Sequence, residues 1–209
     1  RKADSNTQSR QKMQEKLPAF QETRFTTIGP TIGKTLLNKA IIAGLISIIM
    51  IVIYLYIAFR KIPKEVNPWR FGLTAIVALL HDVLIVTGIF AVLGYFLQVE
   101  IDALFITAML TVLGYSVHDT IVVFDRLRDN LLHHNESLEK TANASLNQTL
   151  GRSINTSVSV ALALIAVLLF GSSSIFYFVL ALTLGIAIGT YSSIFVATPL
   201  LVYWNKIKK

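Results

Sequence analysis

The few residues of this 209-residue chain with chemical potential lie mostly where charge is least expected. Asp119 sits near the end of a long apolar run, six residues before Asp125. In a helix rising about 1.5 Å per residue, its carboxylate would lie roughly 9 Å from the inner end of that run. Ionisable side chains at membrane depth are costly and are functional candidates by default. Such a group must find a partner, face water or hold a proton. Two readings follow. Asp119 is either a proton-binding carboxylate, which the default for intramembrane charges favours, or a packing carboxylate held by hydroxyls. Arg152 opens the next apolar run, ahead of Ser153, Thr156, Ser157 and Ser159. Two antiparallel helices joined on one side would put Arg152 and Asp119 in the same leaflet, in contact directly or through water. The alternative is an arginine snorkelling to the interface. His81-Asp82 reads slightly better as an interfacial pair near headgroups than as part of a polar route, and it lacks the further ligands of a metal motif. Asp125, Arg126, Arg128 and Asp129 follow at the mouth of the run. Asp125 and Arg128, three apart, can pair on a helix surface and lock its terminus. His133-His134 is a weak metal signal without other ligands. No P-loop, nucleophile elbow or metalloprotease helix is present, so no enzymatic centre, metal or cofactor is expected. Any energy source must then be external, and a membrane-embedded carboxylate points to an ion gradient.

The elements that position these residues follow from composition. The chain is 54% hydrophobic and 15% charged, without cysteine. A soluble domain carries about 25% charged residues. Five runs reach the roughly 20 apolar residues that a spanning helix needs. They cover about 40–59, 71–97, 103–124, 153–170 and 175–204, within a membrane domain of 39–209. They are too continuously apolar for barrel strands, which alternate. The fold class is therefore an all-α polytopic membrane protein. The net charge of +7 sits at the ends of the runs and implies no nucleic acid. Among the connections, Arg60, Lys61, Lys64 and Arg70, the loop 126–152, and the Lys-rich C-terminus carry basic residues; eight more lie in residues 1–39, where a long translocated domain would be largely exempt from the charge rule. The connections around Glu100 and Ser172 carry none. The positive-inside rule puts the first set in the cytoplasm and the second outside. Residues 1–38 would then lie outside, as the stub of a translocated domain, with upstream sequence expected before Arg1. In that stub a helix over 8–17, a short strand over 23–28, a turn at Gly29-Pro30 and a helix over 31–38 are predicted. In the loop, Leu131, Leu132, Leu138, Ala142, Leu146 and Leu150 suggest an amphipathic helix. Gly185 and Gly189 form a G-x-x-x-G pattern that suits close helix packing.

The run Gly114-Tyr115-Ser116-Val117-His118-Asp119-Thr120, continuing through Phe124-Asp125-Arg126-Leu127-Arg128-Asp129-Asn130, resembles the fourth-helix signature of the SecF branch of the SecD/SecF family. Ile28-Gly29-Pro30-Thr31-Ile32-Gly33, Leu80-His81-Asp82-Val83, Arg152-Ser153-Ile154-Asn155-Thr156-Ser157, and Gly185 through Ser193 resemble that family's other segments in order. The resemblance implies an RND-like half-transporter fold. This chain would be the end of an α+β outside domain followed by five helices. It implies that Asp119 and Arg152 take part in proton movement, with Thr156 as a neighbour. His118 stands where the family usually has Asn, which adds a titratable group.

The resemblance further implies a non-enzymatic, proton-motive-force-dependent accessory subunit of the Sec translocase in the cytoplasmic membrane of a bacterium or archaeon. Its partners would be SecD, separate or fused, the Sec channel and associated membrane proteins, the unfolded preprotein and the lipid bilayer. The alternatives are an RND-type exporter of small molecules or lipids, and a scaffold of the translocon that transduces nothing.

Overall fold

The computed structural model describes residues 30–60, 67–133 and 136–207. The chain divides into two compact units, 1–33 and 34–209, and of the first only residues 30–33 are described, as the opening turn of a helix. The helix and strand expected before Pro30 lie outside the described residues.

All described elements are helical. They are α1 (Pro30–Phe59), α2 (Pro68–Leu97), α3 (Ala103–His133) and α4 (Leu138–Phe170). A short 3-10 turn, Ser173–Ile175, leads into α5 (Phe176–Ser192). A π-helical turn, Ser193–Ala197, and α6 (Thr198–Ile207) continue it as one rod. Among the described residues, five helical stretches are long and apolar enough to cross a membrane. Local chemistry sets their ends. Asn67 caps α2 by accepting from the Trp69 amide at 3.1 Å, with Pro68 in the first turn. Proline suits that position because the amide it lacks would have had no helical partner. Gln98 closes α2 in the left-handed conformation, φ 54°. Asp102 caps α3 by accepting from the Phe105 amide at 2.9 Å.

Two of the helices run well past the expected spans. α3 continues to His133, and α4 begins at Leu138, not near Ser153. The stretch 126–152 is thus divided between two helical extensions. Its leucines divide between the core and the surface: Leu127 is buried, and Leu131 and Leu138 pack against the core beside it. Leu132 and Leu150 are exposed, while Thr141, Ala142, Ser145 and Thr149 are buried. Small residues let helices approach closely, and here they take the contact.

Beyond Ser192 the rod widens into its π-helical turn just before Pro199. Proline cannot donate to the carbonyl four residues back, and its ring crowds that carbonyl. Within this turn the Thr198 hydroxyl donates to the Ser193 carbonyl at 3.1 Å.

Two apolar clusters bracket the unit. One joins Phe59, Phe71, Phe124, Leu127 and Leu201. Phe59 and Phe71 stack at 4.7 Å, and Phe124 meets Phe71 edge-on at 5.1 Å. The other joins Val86, Phe90, Phe105, Ala108 and Ala181. Along α2, α3 and the α5–α6 rod alike, polar residues fall between these clusters: Asp82; Ser116, Asp119 and Thr120; and Thr190, Ser192 and Ser193. The interior is therefore an apolar–polar–apolar sandwich, with its polar layer at membrane depth.

Candidate functional site

The layer is built around α5, which packs against α2, α3 and α4. Its approach to α3 depends on two glycines. A Cβ on Gly185 would lie 2.2 Å from Val112 Cγ2, and one on Gly189 would lie 3.1 Å from Ser116 Cβ. Real Cβ atoms do not approach that closely at the first position, so α5 reaches α3 only where side chains are missing. The G-x-x-x-G expectation of close packing is met, with α3 as the partner.

Asp119 is 2% exposed. Its Oδ2 accepts from Thr190 on α5 at 2.9 Å and from Ser157 on α4 at 3.4 Å. These two hydroxyls lie 2.5 Å apart. The carboxyl is thus held by hydroxyls, and the structure pairs it with neither Arg152 nor His118. A hydroxyl donates to a carboxylate and also accepts from a carboxylic acid. This clamp can therefore satisfy Asp119 with or without a proton.

Asp82 is a second carboxyl in the layer and is wholly buried, at 0% exposure. Its Oδ2 accepts from Ser192 on α5 at 2.7 Å and also from the Ser116 hydroxyl on α3. Its Oδ1 lies 3.0 Å from His81 Nδ1. The interfacial reading of this pair therefore fails. Asp82 lies halfway along a 30-residue helix, between the two apolar clusters. Thr120 ties the layer together. Its hydroxyl lies 3.0 Å from Ser193 Oγ and donates to the Ser116 carbonyl at 3.3 Å.

Arg152 is exposed, on the wall of an open cavity of about 670 Å³ between α1, α3 and α4. Among the described residues no ion pair joins it to Asp119. Thr156 is also exposed and donates to the Arg152 carbonyl at 2.9 Å, so Ser157, not Thr156, reaches Asp119. His118 is exposed. The charged cluster lies on the same cavity. Arg126 pairs with Asp129 at 2.9 Å and donates to Gln148 at 2.6 Å, and Arg128 lies 3.8 Å from Asp125. These pairs stand within α3, which continues past them, so they do not mark its terminus. Along α4, buried hydroxyls recur every fourth residue, Thr141, Ser145, Thr149, Ser153 and Ser157; Thr149 lines the cavity and Ser157 belongs to the layer. Ser153 Oγ is buried without a hydrogen-bond partner among the described residues. The described residues offer no group of three or more His, Cys, Asp or Glu side chains placed to hold a metal.

Residues 8–207 match the family described as "Protein export membrane protein SecD/SecF, C-terminal". The chain belongs to the SecD/SecF family. It is 50% identical over 187 residues to "Protein translocase subunit SecF" of Thermobaculum terrenum, covering 89% of this chain and 58% of that protein. It is 42% identical to "Protein translocase subunit SecDF" of Thermus thermophilus, covering 88% of this chain and 23% of that protein. A crystal structure of SecDF in a super-membrane-facing form superposes with a TM-score of 0.77 at 32% identity, over 96% of this chain and 26% of that one. The chain spans between half and two thirds of the length of the SecF relatives it matches. As a SecD/SecF family member with five such helices, it is a multi-pass membrane protein.

The sequence reading missed Thr190, Ser192 and Ser193 as the partners of the layer's polar groups. Their signal was present: Gly189-Thr190-Tyr191-Ser192-Ser193 is a dense hydroxyl run inside an apolar span. Read only as part of a family resemblance, it drew no attention to its own donors.

Proposed function

We propose that this chain supplies the membrane domain of a proton-motive-force-dependent accessory subunit of the Sec translocase, acting with a SecD-type partner. In this reading it lies in the cytoplasmic membrane, with its N-terminal segment outside and its C-terminus in the cytoplasm, as its basic loops favour. The SecF and SecDF names of its relatives support the export role, and the joined SecDF protein supports the partner. One observation carries the proton reading. Asp119 is buried at membrane depth in a clamp of hydroxyls that fits it in either protonation state. Arg152 acts from the cavity wall, with Ser153 between that wall and the Ser157 clamp. Proton passage is coupled to motion of the outside domain, which biases the emerging preprotein against backsliding.

Export by membrane vesicles tests this. Asp119→Asn in the full subunit, assembled with its partner, removes the component driven by the proton gradient and leaves assembly intact. Export with wild-type dependence on the gradient rejects the mechanism and leaves the scaffold reading. An RND-type exporter is less well supported, because the relatives carry translocase names.

A further inference from the structure

The proton reading uses Asp119 and leaves Asp82 without a task. Nothing in the packing calls for a carboxyl there. A fully buried acid between two apolar clusters costs several kcal/mol unless its oxygens are satisfied or its charge is offset. Here the cost is met by unusual provision. Three helices contribute, with His81 beside Oδ1 and the Ser116 and Ser192 hydroxyls donating to Oδ2. Both hydroxyls can turn to accept from a protonated acid. The groups facing Asp82 contain no permanent charge. His81 faces it from α2 itself, Ser116 from α3 and Ser192 from α5. The other titratable groups of α3 at this level are Tyr115, just before Ser116, Asp119, three residues on, and the exposed His118. α5 offers only the exposed Tyr191 near this level. No lysine or arginine lies in α5, or in α3 between Ala103 and Asp125. Among the described residues, the one partner in contact with Asp82 that can carry a compensating charge is therefore one that itself gains and loses a proton.

His81 also reaches the outer face of the bundle. Its side chain is 31% exposed while Asp82 is sealed. One flank of the imidazole is open, and the other, through Nδ1, touches the carboxyl. From these contacts we infer that His81 and Asp82 form a second proton-binding site, reached through the open flank of His81 and set one turn along α3 from the Asp119 clamp. The transfer balances within the pair. His81 Nε2 takes a proton from its open side, Nδ1 releases its own proton to Asp82 Oδ1, and the imidazole is neutral again as the other tautomer. One proton has moved inward, and the charge of one carboxylate has gone.

The two sites are not independent. α5 supplies a donor to each, Thr190 to Asp119 and Ser192 to Asp82. α3 joins them too, since Ser116 serves Asp82 one turn before Asp119. A change of grip at either carboxyl is therefore felt by the same pair of helices.

The inference deepens the proton reading, and its test separates the two. The full subunit, assembled with its SecD-type partner in lipid, is titrated while infrared difference spectra record protonated carboxyl C=O bands. Asp82→Asn removes one band that Asp119→Asn retains. Asp119→Asn removes a different band, and a missing Asp119 band counts against the proposed function alone. His81→Gln keeps the Asp82 band but changes the pH at which it appears, and Ser192→Ala keeps it but shifts its frequency. Those two variants retain the carboxyl, so they decide the matter even if Asp82→Asn does not assemble. Spectra identical to wild type in both His81→Gln and Ser192→Ala overturn the inference, as does an Asp82→Asn spectrum that has lost nothing.

Discussion

A guanidinium can only donate, so it suits an ionised carboxyl and opposes a protonated one, whereas a hydroxyl serves both. The chain uses hydroxyls at Asp119 and keeps Arg152 on a cavity wall. Thr190→Val keeps the shape of the side chain and removes the donor at 2.9 Å. It is expected to cost about 1.5–3 kcal/mol, the range for a buried bond to a group that carries charge, read as a lowered unfolding midpoint in detergent. Ser157→Ala, at 3.4 Å, is expected to cost less. Because Arg152 is exposed, Arg152→Ala should leave that midpoint unchanged within about 0.5 kcal/mol and should reduce gradient-driven export. Full export activity in both Arg152→Ala and Arg152→Lys would remove Arg152 from the mechanism. Asp119 was legible in the sequence because a lone acid in an apolar run announces its own cost. Its partners were not, because threonine and serine are tolerated in membrane helices, where they bond back to their own turn, as Thr190 also does to Ile186 at 3.0 Å.

Among elements, α5 is the one on which the layer depends, and its glycines are its most exacting positions. Gly185→Ala forces a methyl group onto Val112, and overpacking of this kind costs about 1–3 kcal/mol. Val112→Ala in the same chain should recover part of that loss, and a double-mutant cycle on unfolding midpoints measures the coupling. Gly189→Ala meets Ser116 less severely, and its effect should fall on the Asp82 site, since Ser116 is a donor there. The glycine spacing was readable, while the identity of the facing helix was not, because a G-x-x-x-G pattern names no partner. The stripe read over 131–150 holds in part, at Leu131, Leu138 and Ala142, and fails at Leu132 and Leu150 for a related reason. Periodicity marks a face, and in a membrane the most apolar face need not be the one turned inward. The small hydroxyls of α4 hold that position.

At the scale of the molecule, the five runs were legible because lipid admits few solutions for so many apolar residues in sequence. Their relative sidedness can be checked without a known orientation, since the chain has no cysteine of its own. An impermeant maleimide should label Arg60→Cys and Glu136→Cys from one face of sealed vesicles, and Glu100→Cys and Ser173→Cys only from the other. Labelling of all four from one face would reject the five-span arrangement. What the sequence could not convey was the layering, because Asp82, Ser116 and Ser192 are brought together by three helices and are neighbours in none. The joint between α3 and α5 limits how that layer can respond. With no side-chain cushion at Gly185 and Gly189, the two helices cannot slip past each other by part of a turn without a backbone meeting a methyl group. They must travel together, as the fixed spine of any rearrangement. The freedom to open or close then belongs to their neighbours: α2, which brings Asp82, and α4, which brings Ser157. A proton arriving at either carboxyl turns hydroxyls without parting these two helices, and any wider movement falls to the flanks.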